Sequence, residues 1–415
     1  MSSTPRTLLE ERASSGIVPH RIARRSLKTW ALLAVGLLVA VALPWIIYPP
    51  VAMDIVCWAL FAIALDILLG YTGLLSFGHA AYWGGSAYVT GLVAVHLGVP
   101  FPLAVLAGML AAMLIALPVG YLSVRRAGIY FAMVTLAFAQ MIFFLANQWS
   151  DVTGGENGLQ SVPKSFFGIA AVETDAFYFY YAALPMILLG MWMAWRIVHS
   201  PFGRVLVSIR DNVPRARALG YDVEKYKVAA FVLSAGLAGL AGGLFAISHG
   251  FVSLQEVNWT TSGKVVLITV LGGIGTLWGG IVGAAIIIIL EDQLASAGFD
   301  GIGIITGSVF VVVVLLFRRG VWGTALHALR LRREKRDAAA EGRDGPGDGG
   351  HGDHGPGDGS FGDGGGPGDR GPDDDGPGDD GPDRPAGDGP SEHPATAADP
   401  RVVDPAHRSQ PLRAE

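Results

Sequence analysis

The chain has 415 residues, of which 51% are hydrophobic and only 16% charged, where a soluble domain carries roughly 25% charge. That balance excludes an ordinary soluble enzyme, and a single cysteine, Cys57, excludes an intrachain disulfide and any cysteine-based metal cluster. The formal net charge of −5 hides a split: residues 337–415 hold 19 acidic and 6 basic side chains, whereas residues 1–336 hold 24 basic and 16 acidic ones.

Residues 1–28 form a basic segment, with Arg21, Arg24, Arg25 and Lys28 ahead of the first apolar run. The run at 29–48 is too long for a signal-peptide core and has no small-residue cleavage site, so it is expected to stay as a first span. Further spans are expected at 51–69, 79–97, 101–122, 128–147, 177–195, 228–248, 263–272, 279–290 and 303–317. Those at 263–272 and 279–290 are short enough for broken or half-helices. The pattern predicts an all-α polytopic membrane protein with about 8–10 transmembrane helices. Basic residues favour the cytoplasmic side of a membrane. Arg125, Arg126, Arg196, Arg318 and Arg319 all fall on the face that holds the N-terminus, whereas the opposite face holds Lys164, with Lys264 at its margin. Both termini are therefore expected in the cytoplasm.

Between the spans at 177–195 and 228–248 lies SPFGRVLVSIRDNVPRARALGYDVEKYK (200–227), with Arg204, Arg210, Arg215, Arg217, Lys225 and Lys227. Val205, Ile209, Val213 and Ala216 recur at helical spacing. Pro214 suits the first turn of a new helix, over 214–219, with Asn212 or Asp211 as its cap and Gly220 as its stop. Spacing alone leaves two readings: a docking surface for a partner or lipid headgroups, or a loop whose basic side chains reach back to the interface.

Two glycine-rich patches interrupt the spans: GYTGLLSFGHAAYWGGSAY (70–88) and VLGGIGTLWGGIVGA (270–284). SAGLAGLAGGLFA (234–246) adds small residues. Glycine at this depth allows close helix packing, or a broken helix beside a cavity. Asp54, Asp66, His79, Glu291 and Asp292 lie within or beside spans, which admits a proton or cation relay. Placement at helix ends or hydrogen bonding between helices is the plainer account. NWTTSGKVV (258–266) lacks the first glycine and the Ser or Thr of a nucleotide-binding loop. Neither cofactor, metal nor nucleic acid is expected. Segment 321–336 is a basic juxtamembrane stretch. The Gly/Asp/Pro-rich tail at 337–415 has almost nothing to bury and is expected to be disordered.

The segments 70–92, GIYFAMVTLAFAQ (128–140), TGGENGL (153–159), 200–246 and 270–284 resemble, in the same order, the signature regions of branched-chain amino acid ABC-transporter permeases of the LivM type. The resemblance covers roughly 50–320, within a permease domain of 29–320. It implies a non-enzymatic subunit of the plasma (inner) membrane. Its partners would be a second related permease, two ABC ATPase subunits, an extracytoplasmic solute-binding protein and the lipid bilayer. It implies that 200–227 is the ATPase-coupling loop, through Arg204, Arg210, Arg215, Ala216, Arg217 and Gly220. Gly220 matches the family's E-A-A…G element, whereas Arg215 stands where the family has an acidic residue. Tyr71, Thr72, Gly73, Ser76, His79, Gly272, Gly273 and Gly275 would line or hinge the translocation path. The family commonly has Asn at the position of Asp66. Branched-chain amino acids are the implied cargo, with urea, short amides or another small solute as alternatives. An ion-coupled secondary transporter is the reading from a different class.

Overall fold

A computed structural model describes residues 36–126, 128–298, 301, 303–308, 311 and 320–324. The basic N-terminal segment, the start of the 29–48 span, most of the 303–317 span, most of the juxtamembrane segment and the acidic tail lie outside the described residues.

The described chain is helical. After α1 (Gly36–Ile46), Pro49 and Pro50 open α2 (Pro49–Asp66). Their fixed φ suits a first turn, where the missing N–H is not needed. A π-helical turn, Ile67–Tyr71, continues α2. Then come α3 (His79–Leu97), α4 (Phe101–Ser123), α5 (Ile129–Gln148) and α6 (Ala176–Val198). Two short helices follow, α7 (Pro201–Asp211) and α8 (Val213–Ala218). The long α9 (Val223–His249), α10 (Trp259–Gly272) and α11 (Leu277–Ser296) complete the described bundle. Among the described residues the only extended pairing is one antiparallel bridge, Leu159 with Val252, which ties the 149–176 connection to the end of α9.

Six helices are long and apolar enough to cross a membrane: α2 with its π turn, α4, α5, α6, α9 and α11. At 19 residues α3 has the length as well, but Gly, Ser, Tyr and His dilute its apolar content. The short span expected at 263–272 is indeed short, at 14 residues in α10. The one expected at 279–290 is a full helix of 20 residues. Glu291 and Asp292 end the apolar run in the sequence but not the helix, which continues to Ser296.

Two helices make the interior. α2 packs against α11, α9, α6 and α10, and α9 lies along α3 and α4. In lipid there is no hydrophobic drive to bring helices together, so close contact must supply the attraction. Gly242 provides it: a Cβ there would run into the backbone of Trp83, so only glycine lets α9 approach α3 this closely. An aromatic cluster fills one half of the core, with Phe61 stacked on Trp83 at 4.6 Å between ring centroids and Trp58 at 5.2 Å from Trp83.

Candidate functional site: an arginine elbow and a glycine hinge

Helices α7 and α8 form a bent unit at one end of the bundle. Ser200 caps α7, accepting a hydrogen bond from the N–H of Gly203. Asn212 ends α7 and caps α8, its Oδ1 accepting from the N–H of Arg215 at 2.9 Å. Pro214 sits in the first turn. Gly220, at φ +85°, reverses the chain after α8, with the N–H of Tyr221 donating to the carbonyl of Ala216. Asp222 then caps α9 and pairs with Lys225 at 2.9 Å. Those hydrogen bonds hold its carboxyl below the usual range. The periodic apolar residues give the unit a small core of its own: Ile209, Ala216 and Val223 are buried, with Val205, Val213 and Tyr226 packed on them. Arg204, Arg215 and Arg217 are exposed around it, together with Leu219, at 66% exposure.

Arg210 behaves differently. Its Nη1 donates to the carbonyl of Gly70, in the π turn where carbonyls run out of helical donors. It also meets Asp211 at 3.2 Å, an exposed pair of little energetic weight. Gly73, at φ +75°, lies against the aliphatic stem of Arg210, where a Cβ would come within 2.9 Å of Cγ. Gly70 is wedged between Asp66 and Gly275 with no room for a side chain. Oδ1 of Asp66 accepts from the N–H of Gly275 at 2.7 Å, and its Oδ2 is buried with no partner among the described residues. One arginine of the elbow therefore touches the first glycine patch, and one carboxylate fastens that patch to the second.

The remaining predicted residues divide. Thr72 is buried and donates to the carbonyl of Ile67 at 3.0 Å, closing the π turn, and half-buried Tyr71 lies within that turn. Gly272 packs on the backbone of Gly279, and Gly273 ends α10 next to Gly320. Ser76 and His79 do not join the cluster. Ser76 accepts from the N–H of Gly78. His79 is fully buried, 2.9 Å from the hydroxyl of Ser234, which itself donates to the carbonyl of Ala64. His79 thus ties α3 to α9 and α2 and lies in the interior, away from the elbow. Nor do the ionisable residues form a continuous relay. Asp54 and Asp66 stand twelve residues apart on one helix, about 18 Å along its axis, and Glu291 faces Lys264 at the Asp54 end. Asp66 carries the link that sequence reasoning missed, because its partner, Gly275, lies 209 residues away.

The family model for the permease component of branched-chain amino acid transport systems matches residues 47–316. The chain belongs to this family. It is 29% identical over 287 residues to the high-affinity branched-chain amino acid transport system permease protein LivM of Salmonella typhimurium, covering 62% of this chain and 67% of that protein. It is also 29% identical over 331 residues to the LivM protein of Escherichia coli K12, covering 72% and 77%. The autoinducer 2 import system permease protein LsrC of Salmonella paratyphi B is 29% identical over 221 residues, covering 49% and 60%. No solved structure matches. As a member of this permease family with six helices of crossing length, the chain is a multi-pass membrane protein. The two glycine-rich patches and the arginine elbow all lie within the matched region.

Proposed function

We propose that the chain is the membrane-spanning permease subunit of an ATP-driven importer of branched-chain amino acids, in the inner membrane. The observation that carries this reading is the elbow: an exposed basic unit whose innermost arginine reaches the hinge glycines. Of two separate ATPase subunits, one would grip Arg204, Arg215 and Arg217 through carboxylates, since a planar guanidinium suits such pairing. Their closure on ATP would push α7, and Arg210 would pass the displacement to Gly70, Gly73 and the Asp66–Gly275 contact. The bundle would then exchange one open side for the other. A second related permease completes the path, and an extracytoplasmic binding protein brings the cargo. The cargo assignment rests on similarity to the LivM proteins.

The test is reconstitution with the partner ATPases, second permease and binding protein. Uptake of L-leucine should require ATP. Arg215→Glu with Arg217→Glu should abolish co-purification with the ATPases, while the chain still inserts in the membrane. Uptake that persists without ATP and collapses with an ion gradient would replace this reading with an ion-coupled transporter. ATP-driven uptake of urea or a short amide, with none of leucine, would change the cargo.

A further inference from the structure

At the end of the bundle opposite the elbow, α2, α10, α11 and the turn Leu254–Val257 line an open cavity of about 520 Å³. That size is suited to a small solute. Its wall combines Trp58 with Asp54, Glu256, Lys264, Glu291 and Asp292. Some of these charges are accounted for. Lys264 pairs with Glu291 at 2.5 Å and sits over the Trp58 ring at 4.2 Å. Glu256 accepts from the indole N–H of Trp83 at 2.7 Å.

Two carboxylates are not. Oδ1 of Asp54 is buried with no hydrogen-bond partner, and it lies 3.6 Å from Nε2 of His249. Asp292, half-buried, has no hydrogen bond or ion pair among the described residues. The wall thus sets four carboxylates, Asp54, Glu256, Glu291 and Asp292, against the one ammonium of Lys264, and this excess of negative charge favours a further cation. A metal ion is a poor candidate to supply it: among the described residues no three acidic or histidine side chains converge as ligands. An organic ammonium fits better, because it needs fewer and less rigidly placed oxygens. The cavity already holds one such group, the ammonium of Lys264, between an aromatic face and a carboxylate. That ammonium has three donors and one carboxylate partner, which leaves donors for an incoming carboxylate.

We propose that this cavity receives the zwitterionic head of an α-amino acid, its ammonium held by Asp54 and Asp292 and its carboxylate by Lys264, with Trp58 as the apolar wall. The proposal rests on the importer reading above and gives the permease a binding site of its own, separate from the binding protein. Cargo released at the mouth would pause there before the hinge end opens.

The experiment is equilibrium binding of radiolabelled L-leucine to the purified permease–ATPase complex without the binding protein. Competitors are 3-methylbutylamine, which lacks the carboxylate, and 4-methylpentanoate, which lacks the ammonium. The wild-type complex should bind leucine and be displaced only weakly by either fragment. Asp54→Asn and Asp292→Asn should each weaken leucine binding at least about tenfold, whereas Asp54→Glu should keep most of it. Lys264→Met should weaken leucine but leave the amine unaffected. Asp292 stands nearer the helix end, so its variant tests the idea even where Asp54→Asn prevents assembly. Wild-type affinity in both Asn variants, or no leucine binding by a complex that imports leucine once the binding protein is added, would overturn the inference and leave the importer reading intact. A complete system that imports no leucine would instead overturn the importer reading.

Discussion

Asp66 interrupts an apolar run that extends from Ile55 to Leu69, and such a carboxylate is expected to do something. In the sequence it admits a relay role, with placement at a helix end or hydrogen bonding between helices as the plainer account. The fold gives it the structural task, because one of its oxygens takes the N–H of Gly275 while Gly70 is pressed between them. What that contact needs is an acceptor of the right length; a charge is not required. Asp66→Asn, which keeps Oδ1, should therefore retain assembly and transport near wild-type levels. Asp66→Leu keeps the bulk but leaves the part-buried N–H of Gly275 without its acceptor, at a cost of about 1 kcal/mol. A lower thermal midpoint in detergent and a loss of uptake are expected for Leu, and equal behaviour of the Asn and Leu variants would count against the link. The signal for Asp66 was present in the sequence, but its partner was not legible, because no local pattern joins positions so far apart.

At the scale of elements, the elbow was the most legible part. Its cap, proline and terminal glycine are local signals, each acting within one helical turn, and α8 lies within a residue of where they put it. The interior was far less legible. α2 with its π turn and α4 are similarly apolar, yet 89% of an 18-residue apolar stretch of the first is buried and only 39% of one in α4. A membrane makes lipid-facing and core-facing helices equally greasy, so only the small residues of α9, such as Gly242, hinted at which helix lies inside. The elbow's own stability can be tested apart from transport. Asn212→Ala removes the acceptor for the Arg215 N–H and should cost about 1 kcal/mol. Faster amide hydrogen exchange is expected at Arg215–Gly220, with exchange in α9 beyond Tyr226 unchanged. If protection spreads or falls along all of α9, then α8 does not fold as a local unit.

Seen as a whole, the permease places its two charged assemblies at opposite ends of the same two helices. Asp54 and Asp66 mark the ends of α2, while Glu291 and the turn before Leu277 mark those of α11. A push delivered at Arg210 thus has a straight mechanical route to the cavity lined by Asp54, because α2 and α11 are packed side by side and stiff along their axes. The scheme requires that the elbow face the cytoplasm and the Leu159–Val252 bridge face outward. The sequence supports a direct check, since Cys57 is the single cysteine and is buried. Leu219→Cys and Glu156→Cys each add one exposed thiol, on the elbow and on the connection beside the bridge. A membrane-impermeant maleimide added to intact cells with the outer membrane opened should label position 156 and spare 219. Inverted vesicles should give the reverse. Labelling of 219 from outside would turn the molecule over and put the arginines out of reach of any ATP-driven partner. The cavity at Asp54 would then face the cytoplasm, and an importer could not load from it.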